Sequence, residues 1–110
     1  MGAFDTIIGE KLSSVIFVLD YLQLDFDGNM FNFYAWPILK KSDIEMTYSH
    51  NEYRNFLCDF IAKIVAKVNY IQNTLFEIIF EDDSSLRLDV TQAEGEILYF
   101  TLDNDSWGSI

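Results

Sequence analysis

The sequence predicts an α+β fold. One domain over residues 1–110 would carry a mostly antiparallel, curved sheet of about six strands, with one main helix packed on one face, in the order β-β-β-α-β-β-β. Three observations predict it. Short runs of alternating apolar and polar residues, bounded by Gly, Asn, Asp or Pro, flank a central stretch with helical spacing. No repeat, low-complexity segment or linker divides the chain. Half of the 110 residues are hydrophobic and 16% aromatic, enough for one core without covalent staples.

Leu12 to Leu19 is dense in β-branched and aromatic residues and short enough for a buried strand. Tyr21 to Phe26 alternates, with Leu22, Leu24 and Phe26 on one face and Gln23 and Asp25 on the other. Asp27-Gly28-Asn29 tolerates positive φ, as a tight hairpin requires. Met30 to Trp36 alternates again, opposing Phe31, Phe33 and Ala35 to Asn32, Tyr34 and Trp36. Pro37, which has no N–H to give a ladder, should end this strand. Residues 38–48 read as a mixed connector with local strand structure. Ser49 and Glu52 then form a capping box ahead of Tyr53, Phe56, Leu57, Phe60, Ile61, Ile64 and Val68, whose spacing predicts a helix over residues 50–68. Ala62 and Ala66 would lie on its outer face. Thr74 to Glu81 predicts a strand, Asp82-Asp83-Ser84 a turn, and Leu86, Leu88 and Val90 the next strand. Ile97 to Leu102 closes the series before a polar tail around Trp107.

The formal charge of −11 comes from 18 acidic and 7 basic residues, unevenly placed. Beyond Lys67 the only cation is Arg87, against nine carboxylates from Glu77 to Asp105. Such a balance disfavours nucleic acid and anionic membrane, and it either solubilises the surface or steers a basic partner towards it. Cys58 stands alone, so neither an internal disulfide nor a thiolate zinc cluster is available, and a cytoplasmic location is expected. No secretory signal is expected in MGAFDTIIGEKLSS. VIFVLDYLQL is broken by Asp20 and too short for a transmembrane helix.

No constellation for catalysis stands out. His50 has no second histidine as a partner, and on one helix with Cys58 it makes poor geometry for a nucleophile–base pair. Walker, Rossmann and nucleophile-elbow motifs are missing. Asp103-Asn104-Asp105 resembles the start of a calcium loop, but Trp107 stands where a fifth-position oxygen ligand belongs and the sequence lacks the glutamate at position 12. Asp25-Phe26-Asp27-Gly28-Asn29 is explained by hairpin geometry, so no metal and no cofactor is expected. Asp82 and Asp83 are adjacent acids that would suit a carboxylate-dependent hydrolase, or would simply be solvated in their turn.

A binding surface is the better-supported expectation. Tyr34 and Trp36 fall on the outward phase of the first hairpin beside Gln23 and Asp25, unless the 38–48 connector covers them. Aromatic anchors ringed by carboxylates suit a basic protein. Trp107 between Asp103, Asp105 and the tail forms a second such cluster, or tucks against the sheet. Glu81, Asp82 and Asp83 complete the candidate partner-binding set.

LSSVIFVLDYLQLDFDGNMFNFYAWP, followed by YRNFLCDFIAKIV and TLFEIIFEDDSSLRLDV, resembles a group of small bacterial α+β proteins. They share the pattern V-x-F-V-x-D-Y-x-Q-L-x-F-D-G, which runs here from Val15 to Gly28. Some members look like immunity proteins of contact-dependent growth inhibition and related polymorphic toxin systems. The likeness spans roughly residues 7 to 107 and its motif is structural. It implies a non-enzymatic role: binding and neutralising a cognate toxin domain, commonly a nuclease, whose phosphate-binding surface would be basic. It transfers no contact residues. The competing expectations are an accessory or scaffold protein, and after that the carboxylate-dependent enzyme.

Overall fold

A computed structural model describes residues 3–91, 95–102 and 106–110. Among the described residues, ten strands form two five-stranded antiparallel sheets, with one short α-helix between the two sequence halves and a 3-10 turn at Ala3–Ile7. The α+β class with mostly antiparallel strands stands. The single six-stranded sheet does not, because the alternating runs divide between two sheets whose apolar faces meet.

The first sheet has the order β1-β2-β3-β9-β10, from Ser14–Phe17, Leu22–Phe26, Asn29–Phe33, Leu98–Thr101 and Trp107–Ser109. The β2–β3 turn is the expected tight hairpin. Asp27 at φ 55° and Gly28 at φ 99° both take the left-handed conformation, which matches the right-handed twist of the strands. The Asp25 side chain accepts a hydrogen bond from the Gly28 N–H at 2.7 Å and fixes the turn. Asn29 is fully buried and donates through Nδ2 to the Phe26 carbonyl at 2.9 Å. The third strand ends at Phe33, before Tyr34 and Trp36, rather than running on to Pro37. The expected polar tail contains strand β10 instead, which pairs Trp107 with Thr101 and Gly108 with Phe100.

The second sheet has the order β5-β4-β8-β7-β6: Ile44–Met46, Ile38–Lys41, Ser85–Asp89, Leu75–Phe80 and Val65–Ile71. The 38–48 connector is thus mostly a hairpin, turning at Ser42 with φ 57°. Helix α1 covers only Tyr53–Cys58, against the expected residues 50–68. Val65–Ile71 is a strand, and its helical spacing has a simple cause. A β-bulge lies between Val65 and Lys67, so Val65 and Val68 both face inward three residues apart and imitate a helical stripe. The β-branched residues Ile64, Val65 and Val68 prefer the extended backbone once a sheet is there to receive them. Ala62, at φ 80°, redirects the chain between helix and strand. The expected capping box does not form either: His50 Nδ1 accepts from the Glu52 N–H at 3.0 Å, and the Ser49 hydroxyl pairs with Thr47.

One core joins the layers. Leu22, Leu24, Phe26, Phe31, Phe33 and Leu98 from the first sheet meet Leu39, Val65, Phe76, Ile78, Phe80, Leu86 and Leu88 from the second. Phe31 lies at its centre, with ring centroids 6.1 Å from Phe76, 5.9 Å from Phe100 and 5.6 Å from Phe26. Tyr53, Leu57 and Phe60 add the buried face of α1 and the turn after it. Along one seam, residues 9–12 run beside 62–65. Gly9 N–H donates to the Val65 carbonyl, Val65 N–H to Glu10, Leu12 N–H to Lys63, and Ala62 N–H to Leu12. This ladder ties the second sheet's β6 side to the segment leading into β1 of the first.

Candidate functional site: an acidic end and an aromatic sheet face

The strand registers gather the acidic turns at one end of the molecule. In the first sheet, Ser14, Asp25, Met30, Thr101 and Trp107 share one cross-strand row, next to the Phe26–Asn29 pair that closes the β2–β3 turn. In the second, Lys40 lies opposite Ser85, so the β4–β5 turn with Asp43 lies beside the β7–β8 turn with Glu81, Asp82 and Asp83. The Phe26 and Phe80 rings stack at 6.5 Å just inside the two sheets' turns and bring both turn sets to the same end. Asp59, just past α1, joins them through its 3.2 Å ion pair with Lys41 of β4. Asp27, Asp43, Asp59, Glu81, Asp82 and Asp83 are all exposed there.

Cations at this end are partly consumed. Lys41 pairs with Asp59, and Lys63 with Asp82. Asp82 also accepts from the Ser84 hydroxyl at 2.5 Å and the Ser84 N–H at 3.0 Å. The Lys63 and Ser84 hydrogen bonds hold its carboxyl at about 2, so at neutral pH it is ionised and has no proton to donate. Asp83 occupies the turn at φ 70° with its side chain in solvent.

The candidate residues therefore separate into three places. Asp25 and Trp107 lie on the outward side of the first sheet, in one row. Trp107 is 71% exposed, with Tyr99 as its ring neighbour at 6.4 Å. Glu81, Asp82 and Asp83 lie at the acidic end, next to that row. Tyr34 and Trp36 are at the opposite end of β3 from Asp25, so the patch joining all three is not formed. The two rings also part company. Tyr34 is exposed beside Tyr21 at 5.6 Å, and its N–H donates to the Ile97 carbonyl. Trp36 stacks on Tyr48 at 4.0 Å and 9°, and meets Tyr53 edge-on at 6.2 Å. The end of the 38–48 connector thus covers Trp36, while Arg54 lies 5.4 Å over the Tyr48 ring and donates to its hydroxyl. Asp103 and Asp105 lie outside the described residues.

Sequence reasoning passed over Asp43 and Asp59 as members of this end. Their common location depends on which strands pair, and local pattern carries no such information. The same holds for the groove beside the Asp27 turn, of about 480 Å³, lined by residues 9–13, Asp27, Ile61 and Ala62. Cys58, at the end of α1, is exposed. Among the described residues no group of three or more His, Cys, Asp or Glu is placed to hold a metal ion, and no helix is long and apolar enough to cross a membrane. No protein-family model, curated protein or solved structure matches the chain.

Proposed function

We propose that this chain is an immunity protein: a non-catalytic binding protein that captures a basic toxin domain, a nuclease, in the cytoplasm of the producing cell. The observation that carries the reading is the gathering of Asp27, Asp43, Asp59, Glu81, Asp82 and Asp83 at one end, beside the outward row of Asp25 and Trp107. The likeness of the Val15–Gly28 pattern to immunity proteins supplies the class of partner.

The physics of such a capture is direct. A nuclease surface that grips phosphates carries Lys and Arg, and an opposing cluster of carboxylates raises the encounter rate by long-range attraction. Charges left unpaired within the chain are free to pair across the interface. Trp107 supplies a large apolar anchor at the edge of the charged end, where a fully desolvated aromatic contributes more than rim charges do. Inhibition then follows from covering the toxin's phosphate-binding surface, and it needs no catalytic group on this chain.

Co-expression with the neighbouring reading frame tests the reading. A basic toxin domain should co-purify and lose its nuclease activity at stoichiometric addition, with affinity falling as salt rises. An adjacent metabolic operon, with no toxin retained, would overturn it. Retention that is indifferent to salt would keep the binding but remove electrostatic steering from the account.

A further inference from the structure

Three acidic side chains at this end are committed within the fold. Asp25 holds the β2–β3 turn, Asp59 holds Lys41, and Asp82 holds Lys63 and Ser84. Two acidic residues line the 480 Å³ groove, and among the described residues neither Glu10 nor Asp27 has a hydrogen-bond or ion-pair partner for its side chain. The rest of the lining is mixed. Ile61 presents an exposed apolar wall, Leu12 is buried beneath it, and Gly9 and Ala62 add backbone and a methyl group. Space is open above Gly9, where no atom lies within 4 Å of the position a Cβ would take. Lys11 is the one cation on the lining.

The walls are also fixed in advance. The backbone ladder between 9–12 and 62–65 holds one side. Ser13 Oγ donates to the Asp25 carbonyl and accepts from the Asp27 N–H, both at 2.9 Å, so the Asp27 turn is tied to the same segment. A groove set this way loses little freedom when something enters it.

We propose that this groove seats one basic side chain, arginine or lysine, of the protein partner, its aliphatic stem on Ile61 and its charged head between Glu10 and Asp27. The inference rests on the immunity reading for its partner. Its chemistry comes from the lining: an apolar wall for a methylene stem, two unpaired carboxylates for a cation, and a volume within the usual range of small-group clefts. Arginine is the better fit of the two, since its fork can engage both carboxylates at once.

The test uses the whole chain labelled with ¹⁵N and three probes: the Nα-acetyl amides of arginine, norleucine and glutamate. The arginine probe should shift the amides of Gly9, Lys11, Gly28 and Ala62 and saturate in the millimolar range. The norleucine probe should weaken this at least tenfold, and the glutamate probe should leave it unseen. Glu10→Gln with Asp27→Asn should abolish the arginine response while the rest of the spectrum stays native. Shifts scattered over the acidic surface without saturation, an arginine response that survives the double variant, or preference for the glutamate probe would each overturn the groove assignment. Toxin capture is scored separately by co-purification. If the wild-type chain retains no toxin, the functional reading fails whatever the groove does. If the double variant retains toxin at unchanged affinity, the groove is not the anchor and the reading stands.

Discussion

Tyr53 is buried among aromatic rings, and its hydroxyl donates to the Pro37 carbonyl at 2.5 Å. Burial, with the nearby Tyr48 hydroxyl as a lesser cause, pushes its ionisation well above the usual phenol range. The neutral form is thereby favoured in the fold, so its share of stability is intact below pH ~10 and declines as the pH rises above that. Tyr53→Phe leaves the Pro37 carbonyl without its partner and should cost about 1–3 kcal/mol, read from the urea midpoint. Asp82 behaves in the opposite sense. Its carboxyl is lowered to about 2, so its contribution is present above pH ~4 and is lost as the pH falls towards 2. Because the pair with Lys63 is half exposed on the aspartate side, Asp82→Asn should cost under ~1 kcal/mol, and it should flatten the acid limb of stability over that window.

The β2–β3 hairpin is the element most legible beforehand. Leu22, Leu24 and Phe26 alternate against Gln23 and Asp25, and Asp27-Gly28 is a two-residue turn in its favoured chemistry, all within one short segment. Of the helix expected over residues 50–68 only Tyr53–Cys58 forms, because the bulge in β6 gives a strand the spacing of a helix. Strand β10 was not legible at all. It is held by pairing with β9 and by the fit of Gly108 under the Phe100 ring, where an added Cβ would lie 2.8 Å from Phe100 Cζ. Gly108→Ala should therefore push the ring or lift the strand, at a cost of about 1–3 kcal/mol in thermal unfolding, with the largest loss of amide protection in residues 98–101. Gly9→Ala meets open space but sits at φ 87°, so any loss there would come from backbone conformation alone.

At the scale of the whole molecule, the two apolar sheet faces enclose one core with Phe31 at its centre. Phe31→Ala should cost about 3–5 kcal/mol, a large fraction of the roughly 5–15 kcal/mol that holds a domain folded, read as a lower urea midpoint by circular dichroism. The charge distribution is the other property of the whole. Glu81→Lys with Asp83→Lys reverses two exposed turn charges that form no ion pair within the described residues. On the proposed docking, these changes should lower the association rate with a basic toxin domain about tenfold at low salt and much less at high salt, by stopped-flow fluorescence.

The sequence by itself determined the strands whose alternation is uninterrupted, the hairpin turn at Asp27-Gly28, the inward set of Leu and Phe residues, and the acidity of the chain. These are local properties: a period of two, a backbone tolerance, a sum of charges. Tertiary structure alone decided that the strands divide into two sheets, that Val65–Ile71 is extended, that Trp36 is covered by Tyr48, and that acids from distant turns share one end. Each of those depends on which segment lies opposite which. Antiparallel register links residues as far apart as Asp25 and Trp107 through strands that local pattern cannot order, and the groove exists only where 9–13 meets 61–62.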